Sequence, residues 1–249
     1  NKIEQGVFES CTNLSSLEIP TSITSIGKEA FSSCSGIVGT LTIPDTIIEI
    51  ESSAFSRCSG ITNLNIGKGL TEIKEKVFEY CTNIKSLTIP DSITFIGSYA
   101  FSYCSGISNT LSIPGSVKKI DSYAFTFCTE FTNLVFENGL NEIGSFSFYY
   151  CSNLASLKIA ESVTLIKESA FSYCIGIKGT LTIPDSVTSI ESCSFSYCSG
   201  FEKLIIAGNL EYVPENSFKN NLSLTQIVFN TNKLSSIGES AFEGCNLLT

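Results

Sequence analysis

Ten cysteines stand in one phase: Cys11, Cys34, Cys58, Cys81, Cys104, Cys128, Cys151, Cys174, Cys198 and Cys245, each three residues after a phenylalanine. Thiols ligate metals, form disulfides or act as nucleophiles. A metal site needs ligands a few residues apart, whereas neighbouring members of this set lie 23 or 24 apart, and the close pair Cys193 and Cys198 has no second pair beside it. A thiol nucleophile is normally activated by a base such as imidazole, and the 249 residues include no His. Disulfide frameworks belong mainly to small secreted domains. The expected role is a buried column of free thiols that pack as small apolar groups. Cys193, out of phase and two residues before Phe195, is the best candidate for an exposed thiol. The acidic residues form no recognisable catalytic pair, and Gly67-Lys68-Gly69 reads as a turn and not a phosphate loop. No catalytic residue, metal or cofactor is expected.

The elements that would hold such a column follow from its period. Phe8, Phe31, Phe55, Phe78, Phe101, Phe125, Phe148, Phe171, Phe195, Phe218 and Phe242 recur at steps of 23 or 24. Asn221 takes the cysteine place once. A 70-residue period lies on top: Cys11, Cys81, Cys151 and Asn221 are 70 apart, and the extra residue of the longer steps falls at Gly36–Thr40, Gly106–Thr110 and Gly176–Thr180. Within a unit, Ile84-x-x-Leu87-x-Ile89 alternates as a strand does, and Pro90 ends it because Pro cannot donate to a ladder. Ile93-x-x-Ile96-Gly97 reads as a second short extended piece, and Ser98–Phe101 as one helical or 3₁₀ turn. About eight apolar positions per unit cannot be buried by one unit and can be by a stack. The expected fold is a single right-handed solenoid over residues 1–249, of about ten 23–24-residue units in 70-residue cassettes. A parallel sheet forms one face, with short extended or 3₁₀ turns on the other. Neither end shows a polar cap, so a fragment of a longer protein, or self-association through open solenoid ends, is expected.

The full unit, Leu-x-x-Leu-x-Ile-Pro-x-Ser-Ile-x-x-Ile-Gly-x-x-Ala-Phe-x-x-Cys, resembles the BspA-like subclass of leucine-rich repeats over residues 3–249. The asparagine ladder of ordinary leucine-rich repeats is missing where it was sought; Ser22, Ser92 and Ser186 lie there. The resemblance implies a non-enzymatic, protein-binding solenoid on a cell surface or outside the cell. Such proteins adhere to matrix proteins of the fibronectin or fibrinogen class, or to other cells. An intracellular interaction scaffold and a self-assembling structural stacker are the alternatives. The net charge of −9 speaks against nucleic acid and anionic membrane as partners, and no apolar run approaches the roughly 18–20 residues of a spanning helix.

Two surfaces are candidates. By the resemblance, the default is the strand face, displaying Ser16, Glu18, Thr40, Thr42, Asn63, Asn65, Ser86, Thr88, Thr110, Ser112, Ser156, Lys158, Thr180 and Thr182. The other is an aromatic stripe of the residues that precede successive cysteines: Tyr80, Tyr103, Phe127, Tyr150, Tyr173 and Tyr197, with Tyr99, Tyr123 and Phe146 as a shorter second stripe. Aromatics are enriched in binding hot spots, yet rings that lie flat over the outer turns would equally explain both stripes. Asn13-Leu14-Ser15 and Asn221-Leu222-Ser223 are N-glycosylation sequons, at Asn13 and Asn221.

Overall fold

The computed structural model describes residues 1–249. Each unit makes one turn of a β-solenoid, and every strand pair is parallel. The alternating apolar positions build the first ladder. Nine strands fall into three sheets of three: Gly39–Ile43, Ile61–Ile66 and Ser86–Thr88; Asn109–Ile113, Phe131–Phe136 and Ser156–Lys158; Gly179–Ile183, Phe201–Ala207 and Gln226–Asn230. Their central residues align as Leu41, Leu64, Leu87; Leu111, Leu134, Leu157; and Leu181, Leu204, Ile227. These point into the core while their neighbours point out, as a two-residue period requires.

The 70-residue cassette is thus a three-rung sheet. Its boundary lies at the inserted residue. Gly39, Asn109 and Gly179 take positive φ of 86°, 65° and 71°, a conformation open to Gly and tolerated by Asn. The chain kinks there just before the strand. The ladder to the preceding rung is interrupted, while the following rung answers with a bulged residue at Thr62, Thr132 and Glu202.

Two-residue strands form the second ladder, continuous from Glu72–Ile73 to Ser189–Ile190. The residue after the pair often donates its N–H to the preceding rung, as Gly97 does to the Ile73 carbonyl at 2.7 Å and Lys167 to Ile143 at 2.9 Å. Pro214 occupies that place before Tyr212–Val213 can join, and with no N–H to give the ladder breaks.

The outer turn carries the i→i−3 bonds expected of 3₁₀ geometry, but only at every second residue. Ala100, Ser102 and Cys104 donate to Gly97, Tyr99 and Phe101, whereas Tyr99, Phe101 and Tyr103 donate to Ser122, Ala124 and Thr126 of the next rung. This alternation ties rungs together on the side away from the strands.

Sixty-eight buried residues form one core cluster. Its axis is the phenylalanine column, in which all eleven rings stack, with successive centroids 5.0–5.8 Å apart and planes within 14°. Offset stacking at such separations is favourable beyond area burial, by about 0.5–1.5 kcal/mol per pair.

Candidate functional site

The cysteine column is structural. All thiols are free, and the in-phase ones from Cys34 onward are buried. They are hydrogen-bond donors as well as apolar filler. Each thiol reaches back to the carbonyl of the phenylalanine one rung earlier: Cys34 to Phe8 at 2.9 Å, Cys58 to Phe31 at 3.1 Å, Cys104 to Phe78 at 3.1 Å, Cys128 to Phe101 at 3.2 Å, Cys198 to Phe171 at 2.9 Å. Asn221 makes the same bond through Nδ2, to Phe195 at 3.1 Å and also to Phe218 at 3.0 Å. The ladder sought at Ser22, Ser92 and Ser186 is therefore run by thiols at another position.

Burial pushes the thiol of Cys58 up to about 12, and those of Cys81, Cys104, Cys174 and Cys198 well above the ordinary range. Such thiols are poor nucleophiles. Two placements differ from the sequence reading: Cys11 is the exposed thiol, and Cys193 is half-buried. If the column needs a donor, Cys128→Ser should be more stable than Cys128→Ala by about 1 kcal/mol in urea melts. A purely apolar column would give the opposite order.

On the strand face, Ser16, Glu18, Thr40, Thr42, Asn63, Asn65, Ser86, Thr88, Thr110, Ser112, Ser156, Lys158, Thr180 and Thr182 are all exposed. They fall into two columns, one running Thr40–Asn63–Ser86 and its equivalents and one Thr42–Asn65–Thr88. Ser16 and Glu18 precede Gly39–Ile43, the first strand of this ladder, and lie outside it. The face is not uniform. A hollow of about 600 Å³ is lined by Thr110, Asn133, Val135, Glu137, Asn138, Ser156, Lys158, Ala160 and Glu161. A second, of about 290 Å³, lies over the ladder break between Ser156–Lys158 and Gly179–Ile183 and shares Lys158 and Glu161 with the first. Lys158 forms no ion pair, unlike Lys74, Lys119 and Lys167. Glu137, Asn138 and Glu161 were missed from sequence: Glu137 and Ala160 stand at turn positions that hold Pro in other rungs, and nothing in a single unit sets them apart.

The stripe is continuous. Tyr80 and Tyr103 stack at 4.5 Å, Tyr103 and Phe127 at 4.7 Å, and Tyr173 and Tyr197 at 4.4 Å; Tyr150 joins Phe127 and Tyr173 at 5.0 and 5.9 Å with its ring tilted by 31°. Tyr99, Tyr123 and Phe146 stack at 4.7 and 4.8 Å, and Tyr149 bridges the two stripes, with edge contacts to Phe127 and Tyr173 of the first and a tilted contact to Phe146 of the second at 5.7 Å. Ring faces are taken up by one another, so the edges point outward. Tyr150 is exposed and the other five of the main stripe are half-buried. Arg57 lies over the free face of Tyr80 at 5.0 Å, a cation–π contact.

Every residue of both stripes has positive φ, between 56° and 62°. The flanking rungs hold Ser10, Ser33, Arg57, Asn220 and Gly244 at the same position, all at positive φ, so the conformation belongs to the rung and not to the aromatic residues.

Of the two sequons, Asn13 is exposed. Asn221 is fully buried and its Nδ2 donates to two carbonyls, so a glycan on that nitrogen is incompatible with the folded rung.

Parallel rungs, a leucine-centred strand and a phased donor column define a leucine-rich-repeat solenoid. The model of the BspA-type leucine-rich repeat region matches in six copies, over residues 1–129, 105–179 and 177–249. The chain belongs to that family. It is similar to the crystal structure of a leucine-rich repeat protein from Bacteroides ovatus, at 26% identity over 100% of this chain and 69% of that one, with a TM-score of 0.76. It shares its fold with the pneumococcal vaccine antigen PcpA, at 20% identity over 90% and 67% of the two chains and a TM-score of 0.50. No curated protein matches the chain. No helix is long and apolar enough to cross a membrane.

Proposed function

We propose that this chain is a non-enzymatic, protein-binding solenoid displayed at a cell surface, contacting matrix proteins of the fibronectin or fibrinogen class or the surface of another cell. Family membership supports the class. The observation that carries the site is the exposed, mainly polar strand face, deepened around Lys158 into two adjoining hollows. Small polar side chains repeated rung by rung give many weak contacts that add along the rod. A cation without an internal partner, shared by the two hollows, supplies a specific one.

The test is binding of the purified chain to immobilised fibronectin and fibrinogen, with Asn133→Tyr/Lys158→Glu beside it. Specific binding that falls about tenfold or more in this variant is expected. Binding that the variant leaves unchanged would remove the strand face as the site, and no binding to either protein would remove the matrix reading.

A further inference from the structure

The larger hollow of the strand face is built twice. A hollow of about 430 Å³ lies one cassette earlier, where Asn65, Lys68, Thr88, Pro90 and Asp91 line it. Each of these stands 70 residues before a residue lining the larger one: Val135, Asn138, Lys158, Ala160 and Glu161. The two share a cause. Ile66 pairs with Ile43 on the preceding strand, but pairing with the following strand stops one residue sooner, at Asn65 and Thr88. Phe136 likewise pairs with Ile113, while pairing with the following strand stops at Val135 and Lys158. In the third cassette the pairing runs on through Ile206 and Phe229 to Ala207 and Asn230. Where two strands part early, the turns that follow them stand apart and a hollow opens between.

Both hollows hold charges of both signs. One has Lys68 and Asp91, the other Lys158 with Glu137 and Glu161. All five are exposed, and none forms an ion pair within the chain. On the second ladder, by contrast, Lys74, Lys119 and Lys167 reach carboxylates at 2.8, 3.4 and 2.7 Å. Glu137 accepts the Gly115 N–H through Oε2 at 3.2 Å, which leaves Oε1 open. Asp91 and Glu161 occupy equivalent positions three rungs apart, about 14 Å at roughly 4.8 Å per rung. An extended polypeptide advances about 3.4 Å per residue and covers that distance in about four residues. We infer that the two hollows together take an extended segment of a partner protein, laid along the rod, whose basic side chains recur about every four residues with an acidic one beside each. Its basic groups meet Asp91 and Glu161, and its acidic groups meet Lys68 and Lys158. A purely acidic segment would also face the three carboxylates, and a purely basic one the two lysines. Exposed pairs are individually weak, so affinity comes from the second hollow, engaged once the first is occupied. The inference rests on the strand face being the binding surface and names what that surface reads.

The probe is the peptide acetyl-Asp-Ser-Arg-Ser-Asp-Ser-Arg-amide, carrying a neutral dye and titrated with the chain by fluorescence anisotropy. It should bind about tenfold or more tightly than acetyl-Asp-Ser-Arg-amide, which can fill one hollow only. Replacing both Arg by Gln, or both Asp by Asn, should weaken it about fivefold or more. Asp91→Asn/Glu161→Gln should abolish the preference for Arg over Gln, and Lys68→Gln/Lys158→Gln the preference for Asp over Asn. Circular dichroism should show both variants folded, since all four side chains are exposed. No binding at about 5 mM chain would overturn the inference, as would equal binding of an all-Asp peptide or a preference that survives its matching substitutions. The two readings fail separately. If Lys158→Gln lowers fibronectin or fibrinogen binding while the peptide does not bind, the face stands and the charge-paired occupant falls. If the peptide binds as described while neither matrix protein does, the occupant stands and the matrix reading falls.

Discussion

Raising the pH above about 9 should unfold this protein steeply. The cause is the thiol column. Cys58, Cys81, Cys104, Cys128, Cys151, Cys174 and Cys198 are fully buried, and burial raises the pKa of each. In the unfolded chain a thiol ionises near 8.5. Below that pH both states hold their protons and these groups confer no pH dependence. Above it the unfolded state releases protons that the folded state keeps, so stability falls as pH rises, until each folded pKa is reached. Each thiol then contributes a loss of about 1.4 kcal/mol per pH unit, and seven together about 10 kcal/mol per unit. For Cys58 alone, held up to about 12, the loss amounts to about 4 kcal/mol by that pH. Domains are stable by about 5–15 kcal/mol, so unfolding is expected within one or two units of pH 9. Burial also raises the hydroxyls of Tyr103, Tyr123 and Tyr173, which adds in the same direction at higher pH. Urea midpoints at pH 7, 9 and 10, with reductant present, measure the slope. Cys128→Ser should make it shallower by one proton's worth. A flat profile to pH 11 would show that the column tolerates thiolates and that its burial has been misjudged.

How much of this was legible beforehand varies by feature. The Phe and Cys phase predicted the rung count, the inward positions and the parallel ladder, because a strictly repeated apolar set has one way to be buried. The inserted residues at Gly36–Thr40 and their equivalents marked the cassette boundaries, but not that the ladder would open there. That depends on the kink at Gly39, Asn109 and Gly179, which is backbone geometry. The cysteines were read as apolar filler, although Asn221 in the same column was a clue that the position needs a donor. The same residue was read as a sequon because a three-residue motif carries no information on burial. The stripes were visible as aromatic columns, while their left-handed conformation was not. Asn220 and Gly244 in the same column were a trace of it, which Arg57 one rung before Tyr80 obscured. The hollow at Lys158 is built from three neighbouring rungs, a three-dimensional combination that a one-unit consensus averages away.

The phenylalanine column should be strong in the middle and weak at the start, and this contrast tests the stacking arrangement itself. Phe125 is fully buried, with Phe101 at 5.2 Å on one side and Phe148 at 5.3 Å on the other. Phe125→Ala removes a buried ring with two stacking partners and should cost about 3–5 kcal/mol. Phe8 is 37% exposed and has one partner, Phe31 at 5.0 Å. Phe8→Ala should cost about 1–2 kcal/mol, since over a third of the ring stays in water and its loss opens no closed cavity. The form of the transitions should differ as well. A solenoid rung contacts only its neighbours, so a cavity in the middle weakens the coupling between the two halves, whereas loss at the first rung only frays it. Urea unfolding of Phe125→Ala, followed by circular dichroism, should therefore show a lower midpoint and a broader or split transition, and that of Phe8→Ala a small shift at unchanged slope. Equal losses at the two positions would mean that the rings are not a load shared along the column, and that stability resides in the backbone ladders between rungs instead.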